Sequence, residues 1–151
     1  MILDKENAFS LAQAVTTSAA STDYMDLTPL ASGADDRDIG QGEGLRLVIT
    51  VDETVQSTGS STVTFALQTD DTSTFGSATT LYTSGAVAKA TLVAGYKVCD
   101  VPIPKGVEKY LRVYYTVATA DLTEGEFTAV LVKDSQDVKS YPAGYSIGSG
   151  A

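Results

Sequence analysis

Pro102-Ile103-Pro104-Lys105-Gly106-Val107-Glu108-Lys109-Tyr110-Leu111-Arg112-Val113-Tyr114-Tyr115-Thr116-Val117 is a proline-glycine turn feeding a strand with two unlike faces. Side chains alternate across a strand, so Leu111, Val113, Tyr115 and Val117 share one side and Tyr110, Arg112, Tyr114 and Thr116 the other. The first side belongs in a core. The second combines aromatic area with a guanidinium and a hydroxyl, a mixture that suits contact with another protein, where Tyr and Arg carry much of the binding energy.

The same two-residue period recurs on either side of this stretch. Leu45, Leu47, Ile49 and Val51 alternate with Arg46, Val48, Thr50 and Asp52, and Val63, Phe65 and Leu67 alternate with Thr64, Ala66 and Gln68. These two runs flank Gln56-Ser57-Thr58-Gly59-Ser60-Ser61 and are expected to pair as a hairpin. Further strands are expected at Thr79 to Thr83, Tyr96 to Ile103, Tyr110 to Ala118 and Glu126 to Lys133. Ala8 to Val15 reads as either a short helix or a strand, and Ser21 to Leu27 alternates weakly before Thr28-Pro29 stops it. Counting the N-terminal pair, about eight short strands, rich in Val and Thr and without helical crossovers, predict an all-β antiparallel sandwich, jelly roll or barrel.

The apolar period ends at Lys133. Residues 134–151 have no repeat and too little apolar content to fold alone, so the expected organisation is one domain over 1–133 and a C-terminal arm over 134–151. Tyr141, Pro142, Tyr145 and Ile147 are spaced anchors in that arm, which either remains free or lies across its own domain or a neighbour.

Composition removes several function classes. With 151 residues the chain can bury roughly 70% of the surface its unfolded form exposes and needs no staple. Its single cysteine, Cys99, excludes an internal disulfide, and the absence of histidine excludes Ser-His-Asp and Cys-His catalysis, His-ligated metals and histidine pH switches. A net charge of -9, with ten Lys and Arg scattered singly, argues against nucleic acid as a partner. No apolar run is long enough to cross a bilayer, and Met1 to Asn7 lacks the pattern of a secretory signal, so a cytoplasmic site of synthesis is expected.

The remaining polar motifs have plain readings. Asp35-Asp36 and Asp70-Asp71 lack the ligand-rich spacing of a calcium loop and read as turn formers, so no metal, cofactor or catalytic residue is expected. Cys99 shares a face with Val101 and Ile103 and reads as a small buried hydrophobe. Lys105 and Lys109, flanking the turn, read as solvated. The candidate partner-interface residues are Tyr110, Arg112 and Tyr114 on the strand and Tyr141, Pro142 and Tyr145 in the arm.

Several segments together carry a family resemblance. Arg37-Asp38-Ile39-Gly40 with Gly44-Leu45, Phe65-Ala66-Leu67-Gln68-Thr69-Asp70 followed by Ala78-Thr79-Thr80-Leu81, the Pro102 to Val117 stretch and Gly125-Glu126-Phe127-Thr128-Ala129 run in the same order as in the jelly-roll capsid cement (decoration) proteins of tailed bacteriophages. Met1-Ile2-Leu3-Asp4 and Ala12-Gln13-Ala14-Val15 to Ala20-Ser21 also resemble that family's N-terminus, which extends the resemblance over Met1 to Val132.

The resemblance implies a jelly roll with extended N- and C-terminal arms and a structural virion protein without enzymatic activity. Such a protein sits on the outer surface of an icosahedral shell and bridges subunits of the major capsid protein. It also implies a homodimer, with separate dimer and shell contacts. The arm beyond Lys133 inherits no role from it. An alternative in another class is a carbohydrate-binding or lectin-like sandwich, which the exposed tyrosines allow and the absence of tryptophan disfavours.

Overall fold

The computed structural model describes residues 5–27 and 44–133. A 3-10 turn at Lys5–Asn7 precedes nine strands: β1 (Ala8–Ala14), β2 (Ala19–Ala20), β3 (Met25–Asp26), β4 (Arg46–Gln56), β5 (Thr62–Asp70), β6 (Thr79–Ala88), β7 (Lys97–Pro102), β8 (Tyr110–Ala118) and β9 (Glu124–Val132). Two antiparallel sheets face each other as a sandwich. Sheet A has the order β1-β9-β4-β7, and sheet B has the order β2-β8-β5-β6, with β3 pairing β8 on the same edge as β2. Because β2 and β3 occupy one edge position, eight positions are filled. Successive positions change sheet at every connection except β5 to β6, which is the strand order of a jelly roll.

That order corrects the expected hairpin between the strands at Leu45–Asp52 and Thr62–Asp70. The first, β4, pairs β9 and β7, whereas β5 pairs β6 and β8 in the opposite sheet. Alternation fixes which face of a strand is apolar but does not name its neighbour. The connecting segment 57–61 therefore crosses between sheets and is tied to the β8–β9 loop, with Ser57 Oγ donating to the Asp121 carbonyl and Ser61 Oγ to the Ala120 carbonyl, each at 2.7 Å. Gly59 is required by that approach, since a Cβ there would stand 2.8 Å from Ala120 Cβ.

Other boundaries shift for local reasons. The strand expected over Thr79 to Thr83 runs on to Ala88, because Ser84-Gly85 is a bulge and not a turn. The Ser84 hydroxyl accepts from the Phe65 N–H at 3.1 Å in place of a ladder carbonyl, and Gly85 takes φ +71. Ala8 to Val15 resolves as a strand. Its period is hidden because two register shifts against β9 leave Ala8, Phe9 and Ser10 buried in succession.

Between the sheets lie the inward residues Leu47, Ile49 and Val51 of β4, Val63, Phe65 and Leu67 of β5, Leu111, Val113 and Tyr115 of β8, and Phe127, Ala129 and Leu131 of β9. Three rings form the centre. Phe65 meets Tyr115 edge-on at 5.7 Å and Phe127 at 5.0 Å, while Tyr115 and Phe127 stack at 5.5 Å. A smaller group, Ala8, Val48 and Val130 with Val132, sits on the outer face of sheet A, so Val48 is buried on the side that its strand otherwise presents as polar.

The fully buried Tyr115 hydroxyl needs a partner. The β1 bulge supplies one by turning Ser10 inward, and the two hydroxyls lie 2.5 Å apart. Burial raises the phenol's pKa well above the ordinary tyrosine value, opposed by the Ser10 bond. Tyr115→Phe should therefore cost about 1–3 kcal/mol by stranding the Ser10 hydroxyl, and Ser10→Ala in the same chain should recover part of that loss. Urea unfolding of the wild type, the two single variants and the double variant measures both quantities.

Candidate functional site

The register of β5 on β8 lays out the outer face of sheet B. Asp70 lies opposite Tyr110, Gln68 opposite Arg112, Ala66 opposite Tyr114, Thr64 opposite Thr116 and Thr62 opposite Ala118. At one end the face carries only Thr and Ala on these two strands. At the other, Tyr110, Arg112 and Tyr114 are half-buried, as the alternation of β8 predicts for its outward side. Three of the six interface candidates thus share one patch. Tyr141, Pro142 and Tyr145 lie outside the described residues.

Two residues that the sequence reading did not select complete the patch. Tyr24, 51% exposed, precedes β3 and stands edge-on to Tyr110, with ring centroids 5.8 Å apart, and edge-on to Phe75 at 6.0 Å. Phe75, in the β5–β6 loop, lies under Arg112, whose Cζ is 4.3 Å from the ring centroid and 5.2 Å from that of Tyr114. Arg112 Nε also donates to Gln68 Oε1 at 2.9 Å. A phenylalanine inside the polar run Thr72-Ser73-Thr74 was the available signal for Phe75. The signal for Tyr24 was weak, because only two residues of its segment pair as a strand on either side of it.

Asp70 positions Phe75. Its Oδ1 accepts from the Thr72 N–H at 2.8 Å and the Thr72 hydroxyl at 2.9 Å, and its Oδ2 from the Ser77 N–H at 2.8 Å. The loop is closed further by the Phe75 N–H donating to the Thr72 carbonyl, with Phe75 itself at φ +51. The Thr72 N–H is the main cause holding the Asp70 carboxyl below the usual aspartate pKa. Burial opposes it, while the Ser77 N–H, the Thr72 hydroxyl and the Arg112 charge add to it. Asp70 is therefore a turn former, as expected, with its oxygens engaged by the loop. Asp35-Asp36 lies outside the described residues.

Charge on this face is sparse. The five strands of sheet B carry one cation, Arg112, and two carboxylates, Asp26 and Asp70. The sheet edges, too, are ill-suited to pairing with another chain. β1 and β6 are bulged, β2 and β3 are two residues each, and β7 is six residues long with Pro102 at its end and a Lys97–Asp100 ion pair at 3.1 Å.

The profile of the Bbp16 family matches residues 9–131, most of the chain and nearly all of the sandwich. The chain belongs to the Bbp16 family. No curated protein matches it. Among the described residues no helix is long and apolar enough to cross a membrane, and no group of three or more His, Cys, Asp or Glu is placed to hold a metal ion.

Cys99 on β7 is buried, as its strand face implies. Desolvation is the main cause pushing its thiol up to about 11. Iodoacetamide at pH 8 should label native Cys99 about a hundredfold more slowly than the urea-unfolded chain, because the thiolate fraction falls tenfold per unit of pKa. Mass spectrometry of timed aliquots gives both rates.

The Asp70 shift fixes a sign for acid. A carboxyl depressed in the fold contributes stability above the ordinary value of 3.8, and that contribution disappears as pH falls through the folded-state value. Asp70→Asn should lower Tm at neutral pH, and the gap to wild type should narrow as pH falls below 3.8 and the carboxyl takes up its proton. Thermal unfolding followed across this range reads the convergence, and parallel curves would show that the charge plays no part.

Proposed function

We propose that this protein is a structural component of a tailed-phage virion, a cement that binds the outside of the icosahedral capsid and bridges major capsid protein subunits. The jelly-roll strand order that the sequence resemblance implies, the near-absence of charge on one face of an acidic molecule, and edges unsuited to strand pairing support this reading. The observation that carries it is the outer face of sheet B, where Tyr24, Tyr110 and Tyr114 surround a cation fixed by Phe75 and Gln68.

Such an arrangement has the form of a protein-binding hot spot, with aromatic anchors around a held arginine. A cement adds free energy across seams between subunits and needs no reaction. If the protein forms the expected homodimer, a second shell contact becomes intramolecular, and modest single affinities combine into firm retention. On this reading the protein is made in the bacterial cytoplasm and resides on the capsid surface. Its acidic charge keeps it from the packaged genome.

The carbohydrate-binding alternative fits the ring geometry less well. The Tyr24 ring meets its neighbours at 71° and 70°, so the rings do not share a plane on which a sugar could lie. The deciding experiment mixes the purified protein with tailed-phage shells assembled from major capsid protein in its absence. Cryo-EM density on the outside is the expected result. Bare shells together with a positive glycan array would support the alternative.

Arg112→Glu removes the Gln68 bond and both ring contacts while reversing the charge. It should leave the fold in place, with a stability loss of about 1 kcal/mol, yet weaken dimerisation or shell attachment by roughly 30-fold or more. Light scattering reports the mass and co-sedimentation with shells reports the attachment. Unchanged values in both would remove Arg112 from the interface.

A further inference from the structure

The three arginines of the chain are Arg37, Arg46 and Arg112, and the two in the described residues are held in opposite ways. Arg46 is engaged by one partner, with Nε donating to Asp100 Oδ1 at 2.5 Å and Nη2 to the Asp100 carbonyl at 2.7 Å. Arg112 is fixed through its stem side and its π faces, by Gln68 at Nε and by the Phe75 and Tyr114 rings. Its Nη groups make no hydrogen bond or ion pair among the described residues. Among the described residues no buried side-chain nitrogen or oxygen lacks a partner, and Arg112 is only half-buried, so these groups are not sealed from the surface. A guanidinium immobilised in this way offers parallel N–H donors at little further entropic cost, and their spacing matches a carboxylate.

We propose that the sheet B face is a receptor for a single carboxylate side chain of a different protein, with the Arg112 Nη fork as the recognising group. This rests on the reading of that face as the docking surface and names the chemistry of its partner. A phosphate polymer is disfavoured, because one cation in a molecule of net charge -9 cannot offset the repulsion. A second copy is disfavoured as well. Across a two-fold axis this patch would meet the same patch of the copy, so Arg112 would have to find its carboxylate there. The carboxylates that the copy's own sheet B strands could bring are already engaged, Asp70 by its loop and Asp26 by a partner of its own. An acidic side chain from another protein satisfies the fork, and Tyr24, Tyr110 and Tyr114 exclude water around it.

The test has two arms. In the first, the arginine Nε–Hε signals of the full chain are followed by NMR during titration with sodium acetate, with sodium chloride as the ionic-strength control and Arg112→Lys to assign the signal. Acetate should bind at Arg112 with roughly tenfold higher affinity than at Arg46, about 1.4 kcal/mol, and chloride should not reproduce the shift. Equal responses of the two arginines, or equal effects of the two salts, would overturn the proposal.

In the second arm, wild type, Arg112→Gln and Arg112→Lys, each checked for an unchanged melting profile, are assayed for mass by light scattering and for attachment to bare shells. Both variants should keep the wild-type mass and lose at least about tenfold in attachment. Attachment of Arg112→Lys at the wild-type level would refute recognition by the fork, and a change in mass would show that the face joins two copies instead. If wild type does not decorate shells while the acetate result holds, the cement reading fails and the carboxylate receptor stands.

Discussion

A phenol buried between two sheets constrains the whole sandwich. Tyr115 is the largest fully buried side chain, and its ring stacks on Phe127 and abuts Phe65, so β8, β9 and β5 must hold their registers for the three rings to interlock. Its hydroxyl would be an unmet polar group in that core without Ser10, which only an irregular β1 can turn inward. The bulge in β1 therefore serves two ends: it satisfies the core and makes that sheet edge a poor template for a passing strand.

The outward side of β8 inherits its order from the inward side. Because Leu111, Val113 and Tyr115 are locked, Tyr110, Arg112 and Tyr114 stand at fixed positions between them, and neighbouring elements need only supply contacts. Gln68 does so from the adjacent strand and Phe75 from a loop cinched by Asp70. The guanidinium loses its rotamer freedom during folding, so any contact made to it afterwards would cost less entropy.

Much of this was legible in the residues. The two faces of β4, β5 and β8, the burial of Cys99 and the grouping of Tyr110, Arg112 and Tyr114 follow from a period of two, and the turn role of Asp70 from its place at a strand end, both local properties that the chain writes plainly. Strand partnership is not local. β4 and β5 are separated by five residues rich in Ser and Gly, the pattern of a hairpin, yet the tie of Ser57 and Ser61 to residues 120 and 121 takes the chain across to the other sheet. Tyr24 and Phe75 escaped for a related reason, since they reach the patch from a loop and a strand margin, where no periodicity announces direction. The strand expected to stop at Thr83 runs on because the Ser84 hydroxyl stands in for a ladder carbonyl, which no period in the residues announces.

The pairing of β1 with β9 has a consequence for how the molecule is made. Ala8 finds its neighbour only at Val130, and Phe9 remains without its cover until the far end of the domain has been synthesised. Sheet A therefore cannot close before β9 has emerged from the ribosome. A topology dominated by such distant partners folds in milliseconds to seconds rather than microseconds. A cell that makes many copies at once holds a standing pool of unfinished chains. For that pool, nine surplus negative charges keep the nascent molecules apart before any of them is finished.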